Sequence, residues 1–90
     1  MEIEFDPDKC RRNIELRGLD FRDAPAVLEG PALTYLDERF DYGEPRWITV
    51  GLLNQRMIIV VWTPCGEVYR IISMRKANER EQESYSGRLG

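Results

Sequence analysis

Histidine is missing from this 90-residue chain altogether. Any acid–base chemistry must run without the side chain that titrates nearest neutral pH, and a Ser-His-Asp triad cannot be assembled. Cysteine is scarce. Cys10 and Cys65 stand far apart and form neither a metal pair nor a disulfide framework, so both are expected as reduced thiols of a cytosolic protein. Long apolar runs are lacking too. The longest, residues 57–62, falls far short of the roughly 20 needed to cross a bilayer, and no apolar stretch follows a basic start as in a signal peptide. Neither a P-loop nor a GxGxxG is present, which sets aside the usual nucleotide-binding modes. The carboxylates Asp6/Asp8 and Asp37/Glu38/Asp41/Glu44 match no cation loop of known geometry. No metal and no cofactor are expected.

What is present is ordinary globular composition, 42% hydrophobic and 32% charged, which argues against disorder. Residues 1–90 are expected to form one domain around a thin core. Charge is distributed unevenly. Residues 1–45 carry six Lys/Arg against twelve Asp/Glu, and residues 46–90 carry seven against four, so a net −6 is followed by a net +3. The total of −3 hides this, and a polyanion would be drawn to the second half.

Local signals predict an α+β order. Residues 2–5 alternate like a short edge strand. Asp6 and Pro7 are a helix cap and first helical residue, and Gly18 is a stop after Arg17. Asn13 falls on the packed face of this helix and needs a partner, expected in a neighbouring loop backbone. A second helix starts at Asp20, is delayed or kinked by Pro25 and ends at Gly30-Pro31. Ala32–Leu36 is a candidate strand, and residues 37–45 are an acidic loop. Strands follow at 46–53, 57–62 and 68–74, with turns at 54–56 and 63–66. Residues 76–85 read as a charged helix, and 86–90 as a frayed tail. The sheet is thus an antiparallel meander of three or four strands, with the helices on one face and the other face partly open.

The segment from Tyr69 to Ala77, a strand running into a basic helix, is the candidate functional end. Strict alternation puts Tyr69, Ile71 and Ser73 on one face and Val68, Arg70, Ile72 and Met74 on the other. Arg70 among apolar neighbours either snorkels or pairs with an acidic residue of the first helix, or else grips a phosphate. Arg75–Glu79 and Lys76–Arg80 share helix faces at spacing four, which a solvated helix also explains. Tyr85 can pack its ring on the sheet and keep its hydroxyl wet.

Taken together, Phe5-Asp6-Pro7-Asp8-Lys9, then Asn13-x-x-x-Arg17-Gly18-Leu19-x-Phe21-x-x-Ala24, then Gly43-Glu44-x-Arg46-x-x-x-x-Gly51, then Arg70-Ile71-Ile72-Ser73-x-Arg75-Lys76-Ala77-x-x-x-Glu81-x-x-x-Tyr85 resemble the BrnT family of bacterial toxins. The last segment, of the form RxISARxAxxxExxxY, carries most of the likeness. Phe5 stands where Trp is usual, Leu16-Arg17 where Lys-His is common, Met74 replaces the Ala of ISAR, and Pro25 interrupts a continuous helix.

The resemblance implies a RelE-like fold and a cytoplasmic ribonuclease toxin that halts translation. It also implies a BrnA-type ribbon-helix-helix antitoxin, in a two-to-two complex that represses its own operator DNA. RNA supplies its own 2′-hydroxyl nucleophile, so the cleavage expected is metal-independent. Arg70 and Arg75 would then contact the phosphate and the transition state. Lys76, Arg80 and Arg46 would hold RNA, and Glu81, Glu79 or Tyr85 would assist proton transfer. The alternative is a catalytically degenerate module that only binds antitoxin and acts in autoregulation.

Overall fold

The structure, a computed structural model, describes residues 1–39 and 41–89. The elements are β1 (Ile3–Glu4), α1 (Pro7–Arg17), a 3₁₀ turn (Phe21–Asp23), α2 (Ala24–Glu29), β2 (Ala32–Leu36), β3 (Trp47–Leu53), β4 (Arg56–Cys65), β5 (Val68–Lys76) and α3 (Glu79–Leu89).

Helix α1 follows its local signals. The Asp6 carboxylate accepts the Asp8 N–H at 2.9 Å, and Gly18, at φ 69°, donates back to the Ile14 carbonyl. Asn13 is buried and its amide donates to the Leu19 carbonyl at 2.9 Å, fixing the loop that leads to Phe21. Pro25 delays the second helix as expected: the 3₁₀ turn is capped by Asp20, and α2 then begins with Pro25 in its first turn.

Among the described residues the sheet has five strands in the order β1-β5-β4-β3-β2, the expected short edge strand joined to a meander of four. Strands β2 to β5 form the antiparallel meander, and β1 adds a parallel edge through Ile3 opposite Tyr69 and Glu4 opposite Arg70. Asn54 and Gln55, both at positive φ, make the tight turn between β3 and β4. The next turn is shorter than expected. Strand β4 continues through Thr63 and Pro64 to Cys65, and only Gly66 and Glu67 turn. Strand β3 begins opposite Trp62, so the end of β4 has a neighbour on one side only, where a proline is tolerated.

The helices cover both sheet faces, not one. The 3₁₀ turn, α1 and α2 bury Cys10, Leu19, Phe21, Ala24 and Val27 against Ile58, Val60, Ile71 and Met74. On the opposite face α3 buries Leu89 against Ile48, Val50, Ile59 and Ala77. Residues 86–89 are therefore the packed last turn of α3, and only Gly90 of the expected tail lies outside the described residues.

Two further differences set the site. Strand β5 persists through Arg75 and Lys76, because Lys76 still pairs with Ile58 and Ala77 N–H donates to the Met57 carbonyl. The helix spacings expected for Arg75–Glu79 and Lys76–Arg80 therefore do not exist. Pairing also slips between Val61/Ser73 and Trp62/Ile71, leaving Ile72 as the extra residue of a β-bulge. Ile71 and Met74 consequently share the α1 side, which strict alternation does not allow. Ser73 and Arg75 instead share the α3 side with Ile59 and Val61.

Candidate active site

The bulge delivers Ser73 and Arg75 to a cleft of about 360 Å³ whose apolar floor is Ile48, Ile59 and Val61. Strand β2 supplies Tyr35, the loop after it Asp37, Glu38 and Arg39, and α3 supplies Glu81. Arg17, the last residue of α1, comes around the sheet edge. Strand β1 pairs with β5 only at Tyr69 and Arg70, so the edge beyond is open, and Arg17 Nη1 donates there to the Met74 carbonyl at 3.3 Å.

Each guanidinium is fixed by a defined partner. Arg75 makes a bidentate pair with Glu81, with both N–H···O distances 2.7 Å. Glu81 also closes a capping box with Asn78: the Glu81 carboxylate accepts the Asn78 N–H at 2.9 Å, and the Asn78 side chain accepts the Glu81 N–H at 2.8 Å. One carboxylate thus starts α3 and aims Arg75. Arg75 holds the Glu81 carboxyl below the ordinary glutamate value of 4.5, and Glu81 in turn raises the Arg75 pKa.

Arg39 is held the same way. The buried Asp37 carboxylate accepts from Arg39 Nε at 2.9 Å and Nη2 at 3.0 Å, and from the Tyr42 hydroxyl at 3.2 Å. The Arg39 bonds bring Asp37 down to a pKa of about 2. Tyr35 stacks on Tyr85 with ring centroids 6.4 Å apart and hydroxyls 3.1 Å apart. Burial, then the Tyr85 bond, pushes the Tyr35 phenol up to about 12, so it is a neutral proton donor at physiological pH.

The Glu81 pair has a testable pH signature. Its lowered pKa contributes stability that is present above pH 4.5 and is lost as pH falls through the folded-state value. Glu81→Gln keeps the capping box and removes the charge pair. It is expected to destabilise by about 0.5–1 kcal/mol at pH 7. The gap in melting temperature from the parent should close as pH falls from about 5 toward 3; a gap that is constant with pH would reject the assignment.

Of the residues singled out from sequence, the structure brings Arg75 and Glu81 together in the cleft. Tyr85 stands one side chain behind, bonded to Tyr35. Arg70 lies toward the other end of β5, exposed rather than among apolar neighbours. It pairs with an acidic residue, as one alternative had it, but the partner is Glu4 of β1 at 3.4 Å and not a residue of the first helix, because β1 lies beside β5 there. Arg46 lies over the Tyr42 ring at 3.9 Å and pairs with Glu44 at 3.8 Å, outside the cleft lining. Lys76, Glu79 and Arg80 are exposed and also outside it. Sequence reasoning missed Tyr35, Asp37 and Arg39, and set Arg17 aside as a departure from the family pattern. For Tyr35 the strand signal was available, but for Arg39 an acidic loop gave none.

No curated protein matches the chain. A family does: residues 5–81 match the family described as ribonuclease toxin, BrnT, of type II toxin–antitoxin system, a span that runs from Phe5 before the α1 cap to Glu81 in the cleft. With most of its length and the cleft's Arg17, Arg39, Arg75 and Glu81 inside that match, the chain belongs to the BrnT family of ribonuclease toxins.

Proposed function

We propose that this cleft cleaves RNA without a metal ion, that cleavage halts translation in the cytoplasm, and that the fold is of the RelE-like kind. The observation that carries the reading is the convergence of Arg17, Arg39 and Arg75 on one concave site beside a neutral phenol and an ionised carboxylate. Guanidinium groups stay charged at any physiological pH and present several N–H donors to phosphate oxygens. The 2′-oxygen of the RNA attacks the adjacent phosphorus, and the 5′-oxygen leaves, giving a 2′,3′-cyclic phosphate and a 5′-hydroxyl end. Arg75 and Arg17 stabilise the charge that develops on the non-bridging oxygens.

Two protons must move. Tyr35, neutral and facing the cleft, donates to the leaving 5′-oxygen. Glu81 accepts from the 2′-hydroxyl. In the free protein Arg75 lowers its proton affinity; a phosphate that engages Arg75 weakens that influence, so Glu81 becomes a better base when substrate is bound. Arg39 orients the substrate from the loop side.

A BrnA-type ribbon-helix-helix antitoxin, in a two-to-two complex that represses its own operator, completes the reading. The alternative, a module that binds antitoxin and does not cleave, draws on one observation: Arg75 and Arg39 already have carboxylate partners. Purified protein with single-stranded RNA in EDTA, and in a second sample with intact ribosomes in a magnesium buffer, separates the two. Cleavage with cyclic-phosphate ends and growth arrest that the antitoxin relieves are the expected results. No cleavage in either sample, with harmless expression of the chain alone, selects the binding module.

A further inference from the structure

Helix α3 presents Glu81, Tyr85 and Arg88 at spacings of four and three, which places them on one helix face. That face does not end at the cleft. Tyr35 lines both the cleft and a second groove, of about 350 Å³, whose other walls are Leu33, Thr34, Tyr85 and Arg88. The two concavities therefore share a wall, the Tyr35 ring, which is 40% exposed and backed by its stacked partner Tyr85. From Glu81 to Arg88 the helix advances about 10 Å, on the order of three stacked nucleotides at about 3.4 Å each.

We propose that this groove between β2 and the C-terminal half of α3 is a flanking-nucleotide subsite, holding the RNA nucleotide next to the cleaved phosphate. The proposal rests on the ribonuclease reading above and deepens it. Its chemistry is that of sequence-tolerant single-strand binding. An exposed aromatic ring offers a base a stacking surface, and a cation at the far end meets the backbone phosphate. The stacked, mutually bonded pair costs little ordering entropy on binding, because each ring already holds the other in place. Arg88 is exposed and, within α3, is the basic residue of the last turn, where the helix dipole favours a cation. Of the groove's walls, Leu33, Thr34 and Tyr35 lie inside the span that matches the family, and Tyr85 and Arg88 follow it on α3.

The test uses the full chain and a non-cleavable hexanucleotide, with each 2′-hydroxyl methylated and a fluorophore on one end, so that binding is read separately from cleavage. Anisotropy titrations should show Tyr35→Leu binding about tenfold more weakly than the parent, the scale of one lost base stack. Tyr35→Phe, which keeps the ring, should stay within about twofold. Arg88→Gln should weaken binding and reduce the slope of log affinity against log salt by about 0.7, one phosphate's worth for a single strand. Melting curves check that Tyr35→Leu is folded, and Arg88→Gln, at an exposed site, carries the test if it is not. Equal affinity and salt slope across parent and variants would overturn the subsite, whether or not the parent cleaves ordinary RNA. No hexanucleotide binding by the parent would overturn it too, as would variants that weaken only antitoxin binding, which would make the groove a protein-docking surface. Failure of the parent to cleave unmodified RNA, with hexanucleotide binding intact, would instead count against the ribonuclease reading.

Discussion

Arg75→Ala is expected to slow RNA cleavage by about 100-fold or more, the usual scale for removing one fixed donor to a developing oxyanion. The reasoning is geometric. Arg75 is carried by a strand, not a loop or a helix end. Its neighbours across the sheet hold its backbone, and Glu81 holds its guanidinium by two bonds of 2.7 Å. A group so fixed needs little reorganisation when charge appears on the phosphate. Arg75→Lys keeps the charge but not the planar fork, and should fall between parent and alanine, about tenfold down. Arg70→Ala makes the informative contrast. Arg70 lies outside the cleft lining and pairs with Glu4 across the β1 edge. A larger loss from Arg70→Ala than from Arg75→Ala, measured as single-turnover rates on one RNA in EDTA, would move the site to the other end of the strand.

Met74→Ala is expected to destabilise the protein by about 2–4 kcal/mol, read as a fall in the urea midpoint at unchanged slope. Set against the roughly 5–15 kcal/mol of a typical small domain, this is a large fraction. The family pattern has alanine here, so the substitution looks conservative on paper. The structure says otherwise. Met74 is fully buried in the same cluster as Phe21, Cys10, Val60 and Ile71. Alanine would leave a void under the 3₁₀ turn and α1 that these neighbours cannot close without shifting. The effect should reach the site as well, since the Met74 carbonyl is the acceptor that steadies Arg17. A loss under about 1 kcal/mol would mean that α1 settles into the gap easily.

These two residues also mark where the sequence is readable and where it is not. Helix α1 was legible in full because its determinants are local: Asp6 and Pro7 at one end, Gly18 at the other, Asn13 reaching six residues on. The start of α3 had a local signal as well, Asn78 followed three residues later by Glu81, but the charged run from Arg75 onward masked it. There a non-local force won: pairing with residues 58 and 59 holds Arg75 and Lys76 in the strand against their helix preference. The same distance effect hid the second helical layer. Tyr85 was readable as a helical residue able to pack on the sheet, but Leu89 looks like a tail residue until the sheet face it covers is known. In the site, Arg75 and Glu81 were found through a pattern, whereas Arg39 was invisible. Its guanidinium is held beside the cleft by the buried Asp37 two residues earlier. Arg17 was readable as a residue but not as a neighbour, since nothing in the chain from 17 to 74 shows that α1 ends against an open strand edge.

The single extra residue at Ile72 works like an indexing tooth. Up to Ile71 the strand is in one frame, with apolar side chains meeting α1; from Ser73 on it is in the other, with the polar ones meeting the cleft. Core and cleft are thus written on one ribbon whose two-beat frame is reset once, at Ile72. Were the strand instead to pair residue for residue through Ile72, Arg75 would be pressed into the hydrocarbon around Phe21 while Met74 faced the cleft. Deletion of Ile72 would leave Ile71 and Met74 two residues apart and still on the same side, so the offset, not the side chain at 72, is what keeps the two surfaces apart.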